Sequence, residues 1–270
     1  MSCKKIGIVL LFIAAVRAGF ALAGDLSEGI GALEAGNYRI AMTKLLPLAR
    51  SGDSTAQFLV GSMNFAGQGV QQDYKAAMSW WQKSALQGTT EAQFNLGVIY
   101  REGLAGPRDE AEMLKWFRKA AEQGSIEAQF ELGRYYDDKG QHTPIYFRSA
   151  LDWYLKAAEQ GDPKAQYNVG QMYAQGLGTA QDYKEAANWW GKAANLGHPE
   201  AQYNIGVLYW AGKGVLQDYV AAHMWENVAA YNGVEEAAGI RNAIEKDMTP
   251  PQIQEAQRIA RERVGSGVTR

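Results

Sequence analysis

The chain has 270 residues, 47% of them hydrophobic and 21% charged, a globular balance that excludes a disordered or collagen-like chain. Lys plus Arg number 27 against 29 Asp plus Glu, so the net charge of −2 gives no general attraction to phosphate backbones, and no nucleic-acid partner is expected. The one cysteine, Cys3, excludes an internal disulfide framework and a structural cysteine-ligated zinc site.

In chain order, Lys4 and Lys5 precede the apolar run 6–16, and Ala21-Leu22-Ala23 stands before Gly24. Basic, apolar and then small residues are the order of a secretory signal, with cleavage expected after Ala23. The run is shorter than the roughly 20 residues that span a bilayer, and Arg17 follows it. No membrane span is therefore expected after signal cleavage; an uncleaved N-terminal anchor is the other reading. A periplasmic or secreted location follows. A lipoprotein cysteine would follow the apolar run, whereas Cys3 precedes it.

Beyond the signal the sequence repeats. Ala-Gln recurs at 56, 92, 128, 165 and 201, spaced by 36, 36, 37 and 36 residues. Gly61, Gly97, Gly133, Gly170 and Gly206 share that register, as do Trp80, Trp116, Trp153, Trp189 and Trp225. An aliphatic residue precedes the glycine each time, and Tyr100, Tyr136, Tyr173 and Tyr209 follow it by three, with Asn64 as the exception. Each period reads as two helices. The first stops at glycine, as at Gly67-Gln68-Gly69, and Asp73, Asp182 or Asp218 caps the second. Tryptophan is expected to fill the space between periods, and since no pair can bury its apolar face alone, the pairs must stack. The expected organisation is a signal at 1–23, a divergent helix pair at 24–55 turning at Gly36-Asn37, five repeats at 56–91, 92–127, 128–164, 165–200 and 201–236, and capping helices with a tail at 237–270. Thr249 would be the N-cap of the closing helix, with Gln252 in the capping-box position. Two repeats depart from the pattern: Gly103 to Pro107 replaces the usual turn, and an extra residue within 137–146 predicts an atypical loop around Gly140, His142 and Pro144.

These columns, fullest from Ala165 to Gly197, resemble the Sel-one-like repeat, a relative of the tetratricopeptide repeat. The resemblance implies an all-α fold, a right-handed α-solenoid of stacked antiparallel helix pairs whose first helices line the concave surface. It also implies an adaptor that holds other proteins together. A cysteine-rich branch of the family is associated with β-lactam or cell-wall peptide binding, through repeats that each carry a disulfide; past residue 23 this chain has no cysteine.

No chemistry-bearing motif survives inspection. The one Ser-x-x-Lys, Ser2 to Lys5, lies inside the signal, and the Gly206 to Lys213 segment has neither the spacing nor the following Ser or Thr of a phosphate loop. His142, His198 and His223 fall in different repeats, read as loop or surface residues, and form no metal-ligand pair. No catalytic residue, metal or cofactor is expected. Counting the repeat alanine as one, positions 1, 5 and 9 of the first helix face the core, while 3, 7 and 10 point away at 100° per residue. Position 3 is aromatic throughout and includes Phe94, Phe130, Tyr167 and Tyr203; this suits either packing between repeats or a groove floor. Positions 7 and 10 vary and include Arg134, Gln171, Arg101 and Trp210. Aromatics mixed with arginine suit a protein-binding surface, so the chain reads as a noncatalytic scaffold for a protein or peptide partner on these eight residues. A cell-wall-active enzyme or a muropeptide- or β-lactam-binding protein is the alternative.

Overall fold

The computed structural model describes residues 24–265, and the expected signal at 1–23 lies outside them. Among the described residues all regular structure is helical. The chain divides into two compact units, one ending at Gln129 and the other beginning at Phe130.

The first unit holds α1 (Gly24–Glu34), α2 (Tyr38–Ser51), α3 (Ser54–Ala66), α4 (Tyr74–Leu86), α5 (Thr90–Glu102), α6 (Glu110–Glu122) and the start of α7 (Ile126–His142). The second holds the rest of α7, then α8 (Tyr146–Glu159), α9 (Pro163–Gln175), α10 (Tyr183–Asn195), α11 (Pro199–Ala211), α12 (Tyr219–Tyr231), α13 (Glu235–Ile244), a single 3-10 turn (Glu245–Asp247) and α14 (Pro250–Gly265). Consecutive helices pack on one another from α1 to α6 in the first unit and from α8 to α13 in the second, where α7 meets α8 through Gly133 and Gly140 and α14 packs on α12, so each unit is a stack of helix pairs.

The punctuation is local chemistry. Asp73 and Asp182 accept hydrogen bonds from two backbone N–H groups each at the start of α4 and α10, and Asp218 does so once for α12. Asp53 and Asp162 cap α3 and α9 in the same way. The first helices end where Gly67 (φ 70°) and Gly176 (φ 71°) enter the left-handed region. At α14 the Thr249 N–H and hydroxyl both donate to Gln252 Oε1, at 2.8 and 2.9 Å.

Two columns organise the stack, one joining repeat to repeat and the other joining the two helices of each repeat. The glutamine of each Ala-Gln is buried, and its amide donates to the carbonyl eight residues earlier, at the end of the preceding second helix: Gln57 to Ala49, Gln93 to Ala85, Gln129 to Ala121, Gln166 to Ala158 and Gln202 to Ala194, at 3.1–3.2 Å. The second column is aromatic, but it is not the tryptophan column that the sequence advertises. It lies one residue later, at Trp81, Phe117, Tyr154 and Trp190, and each ring presses on the glycine of its own repeat: Gly61, Gly97, Gly133 or Gly170. Trp81 and Trp190 also donate Nε1–H to the carbonyls of Phe58 and Tyr167, both at 3.1 Å. Of the advertised tryptophans Trp116, Trp189 and Trp225 are buried and Trp80 and Trp153 half-buried, and in four repeats a lysine lies over the ring: Lys83, Lys119, Lys156 and Lys192 lie 4.4, 5.1, 3.9 and 3.7 Å from the centroids of Trp80, Trp116, Trp153 and Trp189. The last repeat has Val228 in place of that lysine, and Arg263 of α14 covers Trp225 instead, at 4.3 Å.

The expected loop at 137–146 is largely helix. α7 runs to His142, leaving a short connection before Tyr146. Gly140 is buried against Phe147, so the extra residue lengthens a helix whose glycine gives the next helix room to approach.

Candidate functional site

The expectation that positions 3, 7 and 10 of the first helices point away from the core fails in the first unit. Phe58, Ser62, Phe65, Phe94 and Val98 are all buried. The reason is geometric: position 10 reaches the ring column from the other side. Phe65 stacks on Trp81 with centroids 5.5 Å apart, and the Arg101 guanidinium lies 6.0 Å from the Phe117 ring while its Nε pairs with Glu102 at 2.7 Å. Phe94 meets Phe117 at 5.5 Å and is 2% exposed, so it belongs to the packing. A first helix enclosed by its partner and by neighbouring pairs buries far more than one stripe.

In the second unit the same positions are more open. Phe130 is half-buried against Tyr154, 5.7 Å away. Arg134 is exposed and pairs along the helix with Glu131 at 3.1 Å. Tyr167 and Gln171 on α9 and Tyr203 and Trp210 on α11 are half-buried. Tyr167 lies flat on the imidazole of His198, with centroids 4.6 Å apart and planes 11° apart, and its phenol bonds Asn204. Burial raises the Tyr167 and Tyr203 phenols above their ordinary range, with nearby carboxylates, Glu200 for one and Glu226 and Glu236 for the other, acting in the same direction. Burial also holds the His198 imidazole below its usual range. Of the eight residues named from sequence, Arg134, Tyr167, Gln171, Tyr203 and Trp210 thus share the more accessible first-helix positions of one unit.

Two polar residues of the last repeat, His223 and Glu226, are buried. His223, read as a loop or surface residue, is fully buried: its Nδ1 accepts from Asn227 and its Nε2–H donates to Glu245, both at 2.9 Å, and Arg241 donates to Asn227 at 3.3 Å. Glu226 occupies the ring column of the last repeat. It is fully buried, its Oε1 lies against Gly206, and neither oxygen has a hydrogen-bond partner. The signal was available, since Glu226 stands under Trp81, Phe117, Tyr154 and Trp190 in the repeat register. Among the described residues no group of three or more His, Cys, Asp or Glu could hold a metal ion, and no helix is long and apolar enough to cross a membrane.

Paired helices in a 36-residue register, glutamine links between repeats and rings seated on glycine define the repeat, and the Sel1 repeat family matches residues 54–89, 90–125, 126–162, 163–198 and 199–234. The chain belongs to the Sel1 repeat family. No curated protein matches it. A Sel1 repeat protein from Oxalobacter formigenes is 30% identical, with a TM-score of 0.67 over 88% of this chain and 97% of that one. The protein c5321, a protective antigen present in uropathogenic Escherichia coli strains and displaying the same repeat fold, is 29% identical with a TM-score of 0.57, over 95% of this chain and 64% of that one. Sel1 repeat proteins are generally protein-interaction scaffolds, and their fold is typically non-enzymatic.

Proposed function

We propose that this Sel1 repeat protein is a noncatalytic scaffold, exported to the envelope or beyond the cell, that binds a protein or peptide partner on the first-helix side of its second unit, the side expected to be concave in this family. The observation that carries the reading is the half-open set Tyr167, Gln171, Tyr203 and Trp210 with the exposed Arg134, at positions that in the first unit are sealed at every residue except the half-buried Arg101. Large amphipathic rings with an arginine are the residue types that anchor protein interfaces. Export rests on the basic, apolar and small-residue order of residues 1–23.

The test begins with affinity capture from envelope and culture fractions using the chain from Gly24 onward, followed by mass spectrometry. Arg134→Ala and Trp210→Ala should each weaken the captured partner about thirtyfold, equivalent to about 2 kcal/mol, at matched salt. Lys192→Ala, on a second helix, should leave binding unchanged. Loss of binding through Lys192→Ala with retention in both first-helix variants would refute the assignment of the face. An intact Met1 in exported material would refute the cleavage site.

A further inference from the structure

Glu226 is the one place where the ring column changes chemistry. In four repeats this position carries an aromatic side chain seated on glycine; in the last it carries a carboxyl, just as deeply placed. A carboxylate there would have to give up its hydration without compensation. Its two oxygens find no donor, and Oε1 faces the Cα of Gly206 on α11 rather than any N–H.

The charged and titratable groups on every element packed around α12 are otherwise engaged or distant. From α11 the Tyr203 phenol lies within electrostatic reach and, being neutral, supplies no counter-charge. From α13 come Glu236, which acts on Tyr203, and Arg241, which is bound to Asn227; Glu245 of the 3-10 turn takes the His223 imidazole, which shares α12 with Glu226. From α14, Arg263 lies over Trp225 and donates to Asn195. No cation pairs with Glu226 among the described residues.

We propose that Glu226 is a proton-operated latch of the last repeat: as a neutral acid it fills the ring position and keeps α11 and α12 closed, and loss of its proton opens that helix pair. Burial raises its pKa from the usual 4.5 to about 9, so the latch is shut at neutral pH. For an acid whose pKa is raised on folding, the closed form is fully favoured below about pH 4.5, loses ground as pH rises, and stops changing above about pH 9. Alkaline conditions therefore loosen the helix carrying Tyr203 and Trp210. This holds whether or not that surface binds a partner.

The experiment measures hydrogen exchange of the chain from Gly24 onward at pH 6 and pH 8, corrected for intrinsic amide rates, in the parent, Glu226→Gln and Glu226→Met. One proton taken up on closing changes the opening equilibrium by up to tenfold per pH unit. Protection across α11 and α12 should fall at least tenfold between the two pH values in the parent and stay level in both variants, with α3 to α6 level in all three. A carboxyl resonance that is missing from Glu226→Gln should titrate far above the ordinary carboxylate range in 13C spectra of the parent. Parallel exchange in the parent and the variants, or titration of that resonance near pH 4 to 5, would overturn the latch. If either variant fails to fold, the other assigns the resonance by its absence, and the carboxyl titration of the parent then decides.

Discussion

Leu196 interrupts a pattern of side-chain hydrogen bonds that three other repeats make, and restoring it should stabilise the protein. At the C-cap of α4 and α6, Gln87 and Gln123 donate to Gln57 Oε1 and Gln93 Oε1 at 2.8 and 2.6 Å; at the C-cap of α12, Asn232 donates to Gln202 Oε1 at 2.8 Å. Those acceptors belong to the buried glutamines whose amides tie repeat to repeat. At the equivalent position of α10, Leu196 has nothing to donate, and Gln166 Oε1 is buried without a partner. The backbone is the same: φ, ψ is −89°, 8° at Leu196 against −88°, 2° at Gln87 and −87°, 5° at Gln123, so a glutamine at 196 would project the same way. Leu196 is 53% exposed, so little apolar burial is lost by replacing it. A net hydrogen bond to a buried, unsatisfied acceptor contributes about 1–2 kcal/mol. Leu196→Gln should therefore raise the melting temperature by about 2–8 °C. The reverse change in the first unit, Gln123→Leu, should cost about 1–3 kcal/mol by orphaning Gln93 Oε1. Calorimetry of Leu196→Gln, Gln166→Met and the double variant isolates the pair, since the gain must vanish once Gln166 is gone. An unchanged melting temperature for Leu196→Gln, beside a destabilised Gln123→Leu, would refute the equivalence of the repeats on which this reasoning rests.

The seating of rings on glycine makes a second pair of variants diverge. A Cβ at Gly170 would lie 2.5 Å from Trp190 Cδ1, whereas one at Gly191, also inside a helix of the same repeat, meets nothing within 4 Å. Both changes gain about 1 kcal/mol of helix propensity, but the clash at 170 costs about 1–3 kcal/mol, so urea unfolding should place Gly170→Ala below Gly191→Ala by that margin; equal midpoints would show that the ring moves aside freely. Adjacent tryptophans should also behave differently. Trp81→Ala removes a fully buried ring and its bond to the Phe58 carbonyl and should cost about 3–5 kcal/mol, while Trp80→Ala, half-buried beneath Lys83, should cost clearly less in the same melts.

The period, the helix pairs and the caps were legible because each rests on one residue type at one spacing, as with Asp73 before α4 or Gly67 after α3. The burial of individual columns was less legible. A helical wheel assumes one buried face, but α3 and α5 are enclosed on several sides, and so Phe58, Phe65 and Phe94 disappear from the surface. The invariant tryptophans drew attention from the next column, where Trp, Phe and Tyr share a size and an edge to set on glycine without sharing an identity. Gly140, His142 and Pro144 suggest a loop, yet Asp137 to His142 is helix; the role of Gly140, room for Phe147, depends on the approach of the next helix, which the sequence of α7 alone does not encode. Of the candidate surface, the residue types were visible, whereas the difference in access between the two units depends on packing that no single column encodes.

The last repeat brings these threads together. Three of its second-helix columns change character: the lysine over the tryptophan becomes Val228, a position occupied elsewhere by Met78, Leu114, Leu151 or Ala187 becomes His223, and the ring on glycine becomes Glu226. Two of these changes are answered by the chain that follows. Arg263 of α14 replaces the missing cation over Trp225, and Glu245, with Asn227, satisfies the imidazole of His223. Such answers fit a terminal repeat, whose outer side meets α13 and α14 in place of another repeat. Glu226 has no such answer, because it faces inward to Gly206 of its own repeat rather than outward to the cap. A substitution demanded by capping would be expected on the outer side and would come with its partner. A lone acid on the inner side, beneath the helix that carries Tyr203 and Trp210, instead marks where the repeat's packing and its most accessible surface are joined.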